Sequence, residues 1–164
     1  MSLYEQSDSV RGMLLQDAQQ KFLAADSRQA VIETIRETAR QICKADGITF
    51  VLRDGDRCHY VEEDAIGPLW KGQKFPLSAC ISGWAMLNAQ TAVIEDVFAD
   101  PRIPYDAYLP TFVQSLIMTP VGETHVAAMG AYWKDKRSFS EDEIATVQNF
   151  ATMVGETLSR LLGR

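Results

Sequence analysis

Residues 48–62, ITFVLRDGDRCHYVE, decide the architecture. Ile48 to Arg53 is rich in β-branched and aromatic residues and predicts a strand. Asp54-Gly55-Asp56 is a turn, and Arg57 to Glu62 is a second strand, so the two make an antiparallel hairpin. Upstream the period is helical. Ser27 is an N-cap, Ile32, Ile35, Ala39 and Ile42 repeat on one face, and Gly47 is the expected C′ residue. An earlier helix is expected from about Asp8 to Ala24, with Val10, Met13, Leu14, Ala18 and Phe22 as its apolar positions.

Downstream, residues 64–78 carry Gly67, Pro68, Gly72 and Pro76 and are expected to be irregular. Residues 80–88 predict a short helix, and residues 92–97 a third strand. A loop from Ala99 to Pro110 follows, with a short helix near residues 106–112. Residues 113–121 and 125–134 are the fourth and fifth strands, joined as a hairpin through Gly122, Glu123 and Thr124. Along the fifth, Met129, Ala131 and Trp133 share one face, and Ala128, Gly130 and Tyr132 the other.

The last helix has the clearest local signal. Ser140 and Glu143 form a capping box, and Phe139 and Ile144 a hydrophobic staple. Ile144, Val147, Ala151, Val154, Leu158 and Leu161 then repeat as a heptad seam. The expected fold is α+β: an antiparallel sheet of five or six strands, terminal helices on one face, and a helix-and-loop insertion over a pocket on the other. Residues 1–26 are expected to be a helical extension and residues 27–164 one domain with a C-terminal signalling helix.

Composition narrows the function. A net charge of −6 with no basic run argues against nucleic acid as a partner. No apolar stretch approaches the ~20 residues a membrane span needs, and the polar N-terminus lacks a signal-peptide core, so a cytoplasmic protein is expected. Cys43, Cys58 and Cys80 form no CxxC pair, and His59 and His125 have no ligand spacing, so neither a metal nor another cofactor is expected. No nucleophile–base pair stands out, and no catalytic residue is assigned.

Several segments in order resemble the GAF family, over about Ser27 to Leu161. They are the helix ending before the first strand; Ile81-Ser82-Gly83-Trp84-Ala85 before Val93-Ile94-Glu95-Asp96-Val97; Asp100-Pro101-Arg102; Ser115 to Val121; and Gly130 followed by Phe139 and an acidic helix start. The resemblance implies a small-molecule-binding or signal-relaying sensory module, similar to input domains of bacterial sensor histidine kinases. The chain would then not be an enzyme by itself, and kinase activity would belong to a longer parent. Bilin-binding members carry Cys-His where this chain has Pro104-Tyr105. Methionine sulfoxide reductase members carry cysteine where it has Ser82, and acidic residues where it has Leu116 and Trp133. Lys136, Phe139, Asp142 and Glu143 echo a cyclic-nucleotide pattern, but the capping box accounts for them.

Within that frame, Trp84, Phe98, Tyr105, Tyr108, Phe112 and Trp133 are candidate pocket aromatics. Leu116 and Met118 are expected to share the pocket face with Trp133. Asp96, Asp100 and Arg102 are candidates for a ligand's polar end, against the plainer reading of loop capping and surface pairing. Cys80 opens a helix, where a thiol can become reactive; burial as a small hydrophobe is the plainer reading. A homodimer through the terminal helices is expected, because the last helix would run about 33 Å at 1.5 Å per residue, longer than one sheet covers. Two other readings stand beside the sensor: a ligand-free structural dimerisation module, and a redox protein using Cys80.

Overall fold

The computed structural model describes residues 3–163, with side chains from residue 9 onward. Met1, Ser2 and Arg164, at the ends of the two expected segments, lie outside the described residues. Two helices open the chain, α1 (Leu3–Ala24) and α2 (Arg28–Cys43). Ser27 caps α2 by accepting from the Ala30 N–H. The helix stops at Lys44, whose φ of 52° is left-handed, and Gly47 is instead the first residue of β1 (Gly47–Asp54). The strands that follow are β2 (Arg57–Ala65), β3 (Lys74–Pro76), β4 (Ala92–Ile94), β5 (Ser115–Val121) and β6 (Ala127–Trp133). Between them lie α3 (Ile81–Asn88) and α4 (Tyr105–Tyr108), and α5 (Glu141–Leu162) closes the fold.

The six strands form one antiparallel sheet in the order β3-β2-β1-β6-β5-β4. Strand β3 was not expected. It is a three-residue edge strand with a proline at its end, too short to show a period and placed where proline removes no ladder bond.

The sheet separates two cores. On one face α1, α2 and α5 pack on Ile48, Phe50, Ile117, Val121, Met129, Ala131 and Trp133. On the other, the segment from Leu69 to Val113 covers Val51, Cys58, Tyr60, Leu116, Met118, Ala128 and Tyr132. The expected layering therefore holds, but the side assigned to Trp133 was wrong. Register decides it: Leu116 pairs with Tyr132 and Met118 with Gly130, so those four share the insertion face and Trp133 faces the helices.

The capping box of α5 is present in both its hydrogen bonds. Its seam also departs from expectation. Val147, Ala151 and Val154 are buried in the helical core, and Leu158 and Leu161 pack against its edge. Helices α1 and α2, together with the sheet, pack along α5. Arg160 fastens this corner by donating to the Phe22 and Ala25 carbonyls at 2.8 and 3.1 Å, where positive charge suits the end of α1.

Candidate functional site

The insertion face is built around an aromatic box. Trp70 is at its centre, with ring centroids 4.7 Å from Tyr108, 5.5 Å from Tyr132 and 5.6 Å from Tyr60; Phe75 closes the side behind Tyr60. The loop that delivers Trp70 is held by one carboxylate. Glu63 accepts the backbone N–H groups of Leu69, Trp70 and Lys71 at 2.8–3.0 Å. The indole N–H donates to the Ala107 carbonyl, tying this loop to α4.

Tyr132 reaches its place because Gly130 lies beneath it. A Cβ at Gly130 would sit 2.4 Å from the Tyr132 hydroxyl, so only glycine lets the ring lie along the strand. The hydroxyl then shares a hydrogen bond with Thr49, opposite Gly130 on β1. What remains open is a cavity of about 10 Å³ lined by Tyr60, Trp70, Phe75, Cys80, Pro104, Ala107 and Tyr108.

Tyr108 carries the unusual feature. Its side chain is 3% exposed, and its hydroxyl has no partner among the described residues. The nearby polar groups are otherwise engaged. Tyr60 and Ser82 share a hydrogen bond at 2.9 Å, and the Cys80 Sγ lies 3.3 Å from the Ser82 hydroxyl and 3.4 Å from the Pro76 carbonyl. Burial raises all three tyrosines above the ordinary phenol range. Cys80 moves the other way. The Cys58 thiol beside it lowers it most; burial opposes this, and the Ser82 hydroxyl and the Gly83 and Ser82 N–H groups add to the lowering. Cys58 is raised by Cys80 and then by burial, as expected of two thiols sharing one proton. Cys43, inside the helical core, is pushed up to about 12 by burial.

The sequence-predicted residues divide. Tyr108, Leu116 and Met118 are buried on the insertion face, with Trp84 and Phe112 at its margin. Trp133 is on the helical side, donating to the Lys44 carbonyl and packing on Phe139. Phe98 and Tyr105 meet edge to face, with ring centroids 5.1 Å apart, on the surface outside the box. Asp96 and Asp100 serve their own loop. Asp96 caps the Phe98 N–H, and Asp100 binds the Arg102 backbone and guanidinium, which covers the Trp84 ring at 4.4 Å. The Arg102 guanidinium holds Asp100 below the ordinary carboxylate range. Sequence reading missed Trp70, Tyr60 and Tyr132. The last shares a strand face with Gly130 and Ala128, the one signal that could have found it.

Among the described residues no group of His, Cys, Asp and Glu side chains is placed to hold a metal ion, and no helix is long and apolar enough to cross a membrane.

Residues 25–159 match the GAF domain family. No curated protein matches the chain. Among solved structures, the GAF domain of an Acinetobacter phosphoenolpyruvate-protein phosphotransferase is similar at 14% identity, over 94% of this chain and 96% of that one, with a TM-score of 0.77. A putative GAF sensor protein from Burkholderia vietnamiensis is similar at 15% identity over 94% and 98%, TM-score 0.77. A free methionine-R-sulfoxide reductase from Neisseria meningitidis, solved with its substrate, is similar at 15% identity over 94% and 92%, TM-score 0.77. At these identities the likeness is one of fold.

Proposed function

The chain belongs to the GAF domain family, and from that premise we propose that it is a non-catalytic sensory module whose ligand is a small planar molecule taken into the aromatic box in place of Trp70. The Tyr108 hydroxyl carries this reading. A buried polar group without a partner costs roughly 1–3 kcal/mol, and native folds keep few of them. Tyr108 itself lines the small ring-lined cavity, and an apolar site of this kind needs one fixed polar contact. Trp70 is the two-state element: in the box it is held by Glu63 and Ala107, and outside it the box is free for a ligand.

Strand β6 links the box to the helices. Tyr132 touches Trp70 on one face, and the next residue, Trp133, is fixed to the end of α2 and to Phe139 ahead of α5 on the other. Occupancy would thus bear on α2 and α5, and Arg160 joins α5 to α1. The effector suited to such a module is one that reads helix position, as in the sensor histidine kinase class.

Native mass spectrometry of protein purified from cells tests the reading. The wild type is expected to retain a small molecule that Tyr108→Phe loses. In urea denaturation, ligand-free Tyr108→Phe is expected to be more stable by about 1 kcal/mol, since the orphaned hydroxyl is gone. A wild type that retains nothing, together with a destabilised phenylalanine variant, would reject the ligand.

The second reading is a homodimer through the terminal helices. Val10 and Met13 on α1, three residues apart, and Leu162 on α5 are exposed apolar side chains. Light scattering is expected to give about twice 18.3 kDa for the wild type. Met13→Asp with Leu162→Asp should yield a folded monomer, whereas Val154→Asp should unfold the chain because Val154 is fully buried. A wild type that is monomeric at high concentration removes this reading.

A further inference from the structure

We propose that the ligand which displaces Trp70 is an aromatic amine: an uncharged ring with one N–H donor, joined by a short chain to an ammonium, as in an indolylethylamine. This rests on ligand exchange at the box and names the chemistry that exchange requires. The protein holds Trp70 at both of its nitrogens. The backbone N–H donates to Glu63 Oε1 at 2.9 Å, and the indole N–H donates to the Ala107 carbonyl at 3.0 Å. Free tryptamine carries the same two nitrogens on the same carbon frame, with an ammonium in place of the amide.

The charge follows from what leaves with Trp70. Glu63 accepts from Leu69, Trp70 and Lys71, so its half-buried carboxylate loses three donors when that segment swings out. The same movement withdraws the Lys71 ammonium, 2.7 Å from the carboxylate of Glu62, a residue only 8% exposed. Two neighbouring carboxylates are then short of positive charge, and partly buried charge left in that state is costly. An incoming ammonium meets the need, a neutral ring leaves it open, and a carboxylate worsens it. Trp70 and Lys71 are in this sense an indole and an ammonium supplied by the chain itself. The ring is uncharged because no Asp, Glu, Lys, Arg or His side chain lines the small cavity beside Trp70. The segment also has joints. Gly67 and Gly72 bound it, and the Ile66 and Gly72 N–H groups donate to the Asp46 and Tyr60 carbonyls, so both ends stay anchored. A ring with one further polar atom gains what Trp70 lacks, a partner for the unsatisfied Tyr108 hydroxyl.

The test is calorimetric titration of the whole chain with four probes. Tryptamine is expected to bind the wild type about tenfold more tightly than tryptophol, its neutral hydroxyl analogue, which is the margin of a hydrogen bond between charged groups. Ring-N-methyl tryptamine should bind more weakly than tryptamine, having no donor for the Ala107 carbonyl, and indoleacetate should not bind. Amide hydrogen exchange at Leu69, Trp70 and Lys71, followed by NMR, should accelerate with bound tryptamine as Glu63 releases them. Glu63→Gln should level tryptamine and tryptophol; if that variant fails to fold by circular dichroism, the wild-type series decides alone. Tryptophol or indoleacetate binding as tightly as tryptamine, or tryptamine bound with the three amides still protected, would overturn the amine. So would a wild type that binds none of the four, and ligand exchange itself is then judged separately, by the molecule retained in native mass spectrometry.

Discussion

Gly83→Ala is expected to destabilise the protein by more than about 3 kcal/mol, the upper range for overpacking a filled site. A Cβ at this position would lie 1.9 Å from the Leu77 carbonyl oxygen and 2.6 Å from its carbon. Both are backbone atoms of the turn Leu77–Ala79 that precedes α3, so no side chain can rotate away. Helix propensity alone gives the opposite sign, because alanine is favoured over glycine inside a helix by about 1 kcal/mol. Urea unfolding therefore separates the two effects by direction. A gain in stability would mean that α3 does not cross the turn this closely. Movement of α3 should also disturb the contact between Ser82 and Tyr60, and the box with it.

Trp70→Ala is expected to cost about 3–5 kcal/mol, the usual range for truncating a buried large aromatic side chain. Part of that loss should be recoverable. If Tyr60, Phe75, Tyr108 and Tyr132 hold their places, the variant contains an indole-shaped cavity, and added indole should raise its melting temperature in a concentration-dependent way. The wild type should not respond at concentrations that saturate the variant, because its own indole outcompetes the added one. An unresponsive variant would show that the box collapses when Trp70 is gone, which would also count against ligand exchange as the sensory step.

The frame of the fold was legible because its signals are local. The turn at Asp54-Gly55-Asp56 sets the first hairpin, and the Ser140–Glu143 box sets the start of α5. The site was less legible because its decisive relations are long-range. All seven residues of β6 are buried, so alternation along it cannot say which face meets the helices, and only the pairing of Leu116 with Tyr132 assigns Trp133 correctly. Trp70 sits in an irregular run. It becomes central only because the N–H groups of Leu69, Trp70 and Lys71 donate to Glu63 and its indole donates to Ala107, none of which leaves a periodic trace. Tyr105 and Phe98 had the composition of pocket residues, but they pack edge to face on each other outside the box.

The position of β1 between β2 and β6 also bears on how the chain is made. Strand β2 follows β1 directly, whereas β6 emerges only after the whole insertion and β4 and β5 have been synthesised. Until then the nascent hairpin presents an unpaired edge flanked by Ile48, Phe50 and Val51, which are fully buried in the finished domain. Such non-local pairing is slow to form and aggregation-prone while it waits. Completion of the sheet is therefore a late event, and ribosome-bound chains that end before Ala127 are expected to be protease-sensitive throughout, becoming resistant only once β6 and α5 have both left the exit tunnel.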